Sequence, residues 1–280
     1  MARRTIVGEL CAEFAGTLIL ILFGVGVVAQ VVTGEGDLGD HDSIAWGWGL
    51  GVVLGVYTAA RISGAHLNPA VTLAMAVFRG FPWRKVVPFS LAQLLGAFVA
   101  ALIVRATYSE AIGAVDPGHT VATQGIFSTL PGNGALPISQ GIALLDQVVG
   151  TAILLFLVMA LTDPRNHGPW PRLAPVVIGL VVVGIGMAWG ANAGYAINPA
   201  RDFGPRLASF ITGYDTAFRD QTGLLYFWVP IVGPLIGGLL GAGAYRWLIE
   251  RFLPDDEVSD QEDPDENPAD SHRPASTSAL

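Results

Sequence analysis

Ser63-Gly64-Ala65-His66-Leu67-Asn68-Pro69-Ala70-Val71-Thr72 starts a helix where a long apolar chain should have none. Asn68 reads as an N-cap whose side-chain oxygen takes up a free backbone N–H, and Pro69 as a first-turn proline whose missing N–H is no loss there. The helix is expected to run from Pro69 to about Phe78, where Arg79-Gly80-Phe81-Pro82 stops it. Some ten residues at roughly 1.5 Å each span about 15 Å, half of the ~30 Å hydrocarbon core of a bilayer. The phrase returns at Asn198-Pro199-Ala200-Arg201. Two half-length helices that begin alike, set among longer apolar runs, point to a pore whose midplane lies where they meet.

The composition fits such a setting. Of the 280 residues, 52% are hydrophobic and only 14% charged, against about 25% charged in a soluble domain. Apolar runs predict spans near 7–32, 43–60, 86–107, 141–161, 173–193 and 224–249. The run following Met1 to Arg4 is longer than the apolar core of a signal peptide and is read as the first span. Residues 1–253 are expected to form one transmembrane domain. Residues 254–280, rich in Asp, Glu, Ser and Pro, read as a disordered acidic cytoplasmic tail. Nine of the 23 acidic residues follow Leu253, so the net charge of −8 belongs mostly to that tail. The nearly neutral body argues against a nucleic-acid partner. One cysteine, Cys11, excludes an internal disulfide and a Cys-rich metal site; no metal or cofactor motif is present, and no nucleophile elbow or phosphate loop points to an enzyme.

Arg3, Arg4, Arg61, Arg79, Arg84, Lys85, Arg165, Arg172, Arg246, Arg251 and Arg273 fall on the side of the N-terminus, and Arg105, Arg201, Arg206 and Arg219 do not. The positive-inside rule then places both termini in the cytoplasm. The halves repeat: Glu13-Phe14-Ala15-Gly16-Thr17 opens the first (about 6–107) and Gln147-Val148-Val149-Gly150-Thr151 the second (about 141–250). Three spans per half is an odd number, so the second copy is inverted and its half-helix enters from the opposite face. The predicted fold is therefore an all-α membrane protein of six transmembrane helices and two re-entrant half-helices in two inverted repeats. Non-helical backbone at that depth is tolerated when buried in protein or lining a watery cavity.

Two helix N-termini facing one another carry about half a positive charge each, a barrier to cations and protons. Each Asn can cap its own helix through its carbonyl oxygen and offer amide hydrogens to a passing neutral molecule. Together, His66-Leu67-Asn68-Pro69-Ala70-Val71-Thr72 and Asn198-Pro199-Ala200-Arg201-Asp202 resemble the paired signature of the aquaporin, or major intrinsic protein, family, with the likeness covering about residues 6 to 250. The resemblance implies a channel in the cell membrane, four copies to a tetramer, each with its own pore, and selectivity by an Arg and the half-helix dipoles. It implies a filter of Trp48, Gly186, Tyr195 and Arg201; a midplane of Asn68, Pro69, Ala70, Asn198, Pro199 and Ala200; a lining His66; and structural support from Glu13, Gln147 and Asp202.

Gly186 stands where water-only members usually carry His, which resembles the glycerol-passing branch, the aquaglyceroporins. A gap at Gly186, with Trp48 and Tyr195 as an apolar corner and Arg201 for the hydroxyls, would suit a polyol. Tyr195 departs from the Phe more usual in bacterial glycerol facilitators and would narrow the ring or add a hydroxyl. Asp202, Arg206, Tyr108, Pro230-Ile231 and Gly125-Ile126-Phe127-Ser128-Thr129 resemble the same branch. Gln147 departs from the family's Glu and leaves open whether Asp146 takes over as acceptor. The expected function is passive passage of glycerol and other small neutral solutes with water, in contact with the lipid bilayer. The competing readings are a water-selective pore and a secondary transporter, whose midplane would need ionisable groups beyond Glu13 and Asp146.

Overall fold

The computed structural model describes residues 5–166 and 172–254. Residues 255–280, most of the expected acidic tail, lie outside them. The elements in order are α1 (Ile6–Thr33), α2 (His41–Ser63), α3 (Pro69–Phe78), α4 (Val86–Thr107), α5 (Ser109–Val115), α6 (Val121–Gln124), α7 (Gln140–Thr162), α8 (Ala174–Ala193), α9 (Pro199–Ile211) and α10 (Val229–Leu248). Among the described residues there is no named strand, and six helices are long and apolar enough to cross a membrane. Helices α3 and α9, of 10 and 13 residues, are the two half-length helices, starting at Pro69 and Pro199 as expected.

Packing follows the repeat. Helix α1 lies along α2 and α4 as α7 lies along α8 and α10, and each half-helix crosses over: α3 packs on α10, and α9 on α4. Lipid tails give helices no hydrophobic reason to associate, so close backbone approach through small residues carries the contact. At the α2–α8 crossing a Cβ on Gly49 would lie 2.8 Å from the Gly179 oxygen, and one on Gly179 2.7 Å from the Gly49 oxygen. Large apolar side chains such as Leu50, Leu54, Leu91, Leu95, Leu180 and Leu240 face outward, as a bilayer-facing surface requires.

One sequence expectation needs correction in detail. The last span starts at Val229, not near residue 224. Asp220 accepts from the backbone of Thr222 and Leu224 and holds that stretch in a turn, and Pro230 then opens the helix. The connection from Tyr108 to Ser139 is folded: it contains α5 and α6 and buries Ile112, Ile126, Phe127 and Leu130 completely or nearly so.

Candidate functional site

The site begins with two backbone segments that leave their helices in the left-handed region. Gly64 (φ 94°) ends α2 and Gly194 (φ 65°) ends α8; Ala65 and Leu67 (both φ 52°) then match Tyr195 (φ 35°) and Ile197 (φ 43°). Such φ values in residues with a Cβ cost of order 1–3 kcal/mol each and persist only where the surroundings fix them. In the first half the fixing group is Glu13, fully buried in α1. One carboxylate oxygen accepts from Ser63 Oγ (2.6 Å) and His66 N (3.0 Å), the other from Leu67 N (2.7 Å) and Gln93 Nε2 (2.7 Å). In the second half Gln147 does the work alone: its Oε1 accepts from Ile197 N and its Nε2 donates to the Ala193 oxygen, both at 2.9 Å. Asp146 does not take over the acceptor role; it accepts from Asn192 Nδ2 at 3.1 Å, away from the re-entrant backbone. The amide serves because it meets both an N–H and a carbonyl, which no carboxylate could do.

The two segments meet through their asparagines. Asn68 Oδ1 caps α3 at Ala70 N (2.9 Å), and Asn198 Oδ1 caps α9 at Ala200 N (3.0 Å) and Arg201 N (3.2 Å). Asn68 Nδ2 donates to the Ile197 oxygen and Asn198 Nδ2 to the Leu67 oxygen, each at 2.8 Å. One amide hydrogen on each Asn therefore ties the half-helices together, which leaves the other to be offered to the lumen. Pro69 and Pro199 occupy the first turns, with Ala70 and Ala200 buried behind the asparagines.

Two cavities flank this junction. The inner one, on the side where α1 begins and α10 ends, encloses about 140 Å³ and is bordered by His66, Asn68, Asn198 and the backbone from Gly64 to Leu67. The outer one encloses about 270 Å³ under the folded 121–133 segment. Trp48, Tyr195 and Arg201 border both, so the constriction between them lies at these three residues. The Arg201 guanidinium lies 3.8 Å from the Trp48 ring centroid. It is not taken up by its sequence neighbour. Asp202 accepts instead from Arg206 Nε (2.8 Å) and from Thr129 N (2.8 Å) and Oγ1 (2.7 Å), which pins the outer segment to α9.

Gly186 is buried and borders neither cavity. A Cβ there would lie 2.9 Å from Tyr195 Cζ and 3.1 Å from Cε2, so the tyrosine ring fills the gap that the glycine leaves. The Tyr195 hydroxyl is buried, has no hydrogen-bond partner among the described residues and is not offered to the lumen. The glycine acts here by seating the tyrosine, a correction to the open corner expected from sequence.

His66 Nδ1 lies 3.2 Å from Thr72 Oγ1, which is itself 3.1 Å from the Asn68 oxygen, so the ring is tied to the first turn of α3. Sequence reasoning missed three residues. Gln93 joins Glu13 to Thr72. Gly24 lets Trp48 lie flat, since a Cβ there would be 2.1 Å from the indole. His41 borders the outer cavity. An amide in a predicted span was the one available signal, for Gln93; the other two depend on contacts between distant helices.

With this geometry in view, comparison with known proteins places the chain. The model of the family described as "Major intrinsic protein" matches residues 1–245. The chain belongs to the major intrinsic protein family. It is 46% identical over 249 residues to Aquaglyceroporin-9 of Botryotinia fuckeliana, covering 86% of this chain and 53% of that one, about half its length. It is 43% identical over 261 residues to the glycerol uptake facilitator protein of Escherichia coli, covering 90% and 92%. The X-ray structure of the aquaglyceroporin from Plasmodium falciparum superposes with a TM-score of 0.80 at 33% identity, over 89% of this chain and 99% of that one. Members of this family are channels and not enzymes, and the six apolar helices make this one a multi-pass membrane protein.

Proposed function

We propose that this chain passes glycerol and other small neutral solutes, together with water, down their gradients while rejecting ions and protons. The constriction of Trp48, Tyr195 and Arg201 carries the reading: two aromatic surfaces suit the CH and CH₂ groups of a polyol, and the guanidinium, paired to no carboxylate among the described residues, supplies donors for its hydroxyls. Gly186 completes that filter by making room for Tyr195. Asn68 and Asn198 present their remaining amide hydrogens at the midplane, and the facing ends of α3 and α9 repel cations there. His66 lines the inner cavity, and Glu13, Gln147 and Asp202 hold the frame. The names of the relatives support the same substrate class.

The channel unit is residues 1–253, set in the cell membrane with both termini cytoplasmic, and it assembles as a homotetramer with a pore in each copy. Stopped-flow light scattering of proteoliposomes under water, glycerol and urea gradients tests the function. Permeability to glycerol well above empty liposomes is expected, and passage of water alone would refute it. Cross-linking in the membrane tests the tetramer, with a ladder ending at four copies expected.

A further inference from the structure

We propose that His41, which lies outside the four filter positions, sets the upper size limit of the solute by holding the Tyr195 ring at the constriction; the inference rests on the polyol reading above. Helix α8 presents Gly186 and Gly190, one turn apart, as a bare notch beside the outer cavity. Two rings fill it. A Cβ on Gly190 would lie 2.3 Å from His41 Cε1 and 3.4 Å from Tyr195 Cδ1, while one on Gly186 would meet Tyr195 Cζ at 2.9 Å. The imidazole and the phenol meet edge to face, with centroids 6.5 Å apart and planes at 87°.

His41 is also anchored. Its Nε2 lies 2.9 Å from the Gly186 oxygen, and since a carbonyl only accepts, Nε2 carries the hydrogen. That bond ties the first residue of α2 to the residue on which the tyrosine rests. Tyr195 has no such tether: its hydroxyl makes no hydrogen bond among the described residues. The position of its ring is therefore set by what it packs against, Gly186 behind and His41 on the outer edge. Without the imidazole, the ring has space over Gly190 to swing outward, and the constriction widens toward the outer cavity. A wider constriction changes passage most for solutes longer than glycerol and least for water.

The test uses the full chain in proteoliposomes, with stopped-flow permeabilities for water, glycerol and xylitol. His41→Ala is expected to raise the xylitol-to-glycerol permeability ratio about tenfold, a relative barrier change of about 1.4 kcal/mol, with little change for water. His41→Gln keeps an N–H for the Gly186 oxygen and much of the bulk and should stay near wild type, with His41→Asn between the two. In a Tyr195→Ala background, adding His41→Ala should change the ratio no further, because the ring it positions is gone. An unchanged ratio in His41→Ala protein of normal size in detergent overturns the inference, as does an equal increment with and without Tyr195. If His41→Ala does not fold, the Gln and Asn variants decide, an unaltered ratio in both overturning it. A wild type that passes water but no polyol overturns the function proposed for the channel, whereas failure of the His41 series in a glycerol-permeable protein overturns only this role.

Discussion

Gly186→Ala is the smallest change that separates a glycine seating Tyr195 from one of no consequence. The added Cβ would lie 2.9 Å from Tyr195 Cζ, 3.1 Å from Cε2 and 3.1 Å from Ala45 Cβ. Carbon atoms settle at about 3.5–4.0 Å, so the ring must retreat by roughly 0.6–1 Å. Ala45 on α2 blocks accommodation on the other side, and Tyr195 borders both cavities, so the ring moves into the lumen. Forcing one extra carbon into a packed site costs about 1–3 kcal/mol. If one to two of those kilocalories fall on the permeation barrier, glycerol flux drops about 5- to 30-fold. Water, slimmer than any carbon chain, should lose far less. The assay is paired stopped-flow measurement of water and glycerol permeability on equal amounts of reconstituted protein. Adding Tyr195→Ala should restore glycerol flux by removing the displaced ring. Undiminished glycerol flux in Gly186→Ala would refute the seating argument, and so would a failure of Tyr195→Ala to relieve it.

Arg201→Ala should leave the fold intact, since the guanidinium stacks on Trp48 and bonds no carboxylate among the described residues, while proton or cation leak in voltage-clamped vesicles rises; unchanged leak would show that the charge is not a barrier. Gln147→Glu should lower thermal stability in detergent by about 1–3 kcal/mol even though Glu occupies the matching place in the first half, because a carboxylate has no hydrogen for the Ala193 oxygen. Asp163, just beyond α7, gives the pH dependence. Burial pushes its carboxyl up, but hydrogen bonds from Arg165 and Arg79 bring it down to about 2. A carboxyl depressed in the folded state contributes stability that is complete above its unfolded pKa of about 3.9 and is lost as pH falls toward 2. Melting of wild type should thus fall more steeply than that of Asp163→Asn between pH 4 and 2, and parallel curves would contradict it.

The half-helices were legible because their signal is local. Asn68-Pro69 and Asn198-Pro199 cap and start a helix by contacts within three residues, and the apolar runs give span number and length directly from composition. Inversion of the repeat needed only counting, since an odd number of spans reverses direction. The membrane therefore did much of the deciding: with every backbone polar group requiring a partner inside the segment, few architectures remain. What the chain could not disclose is how its distant pieces divide the polar work. Whether Gln147 or Asp146 would face Ile197 depended on which way α7 turns against the 193–197 segment, and whether Arg201 or Arg206 would take Asp202 depended on Thr129 arriving from the outer segment. The role of Gly186 changed most. From sequence it is an absent side chain, hence a gap. In three dimensions the gap is filled by a ring nine residues further on, held from the far side by His41 on another helix. Removing a side chain fixes only that space is available. What enters it is settled by packing among helices far apart in sequence, where no local pattern records the competition.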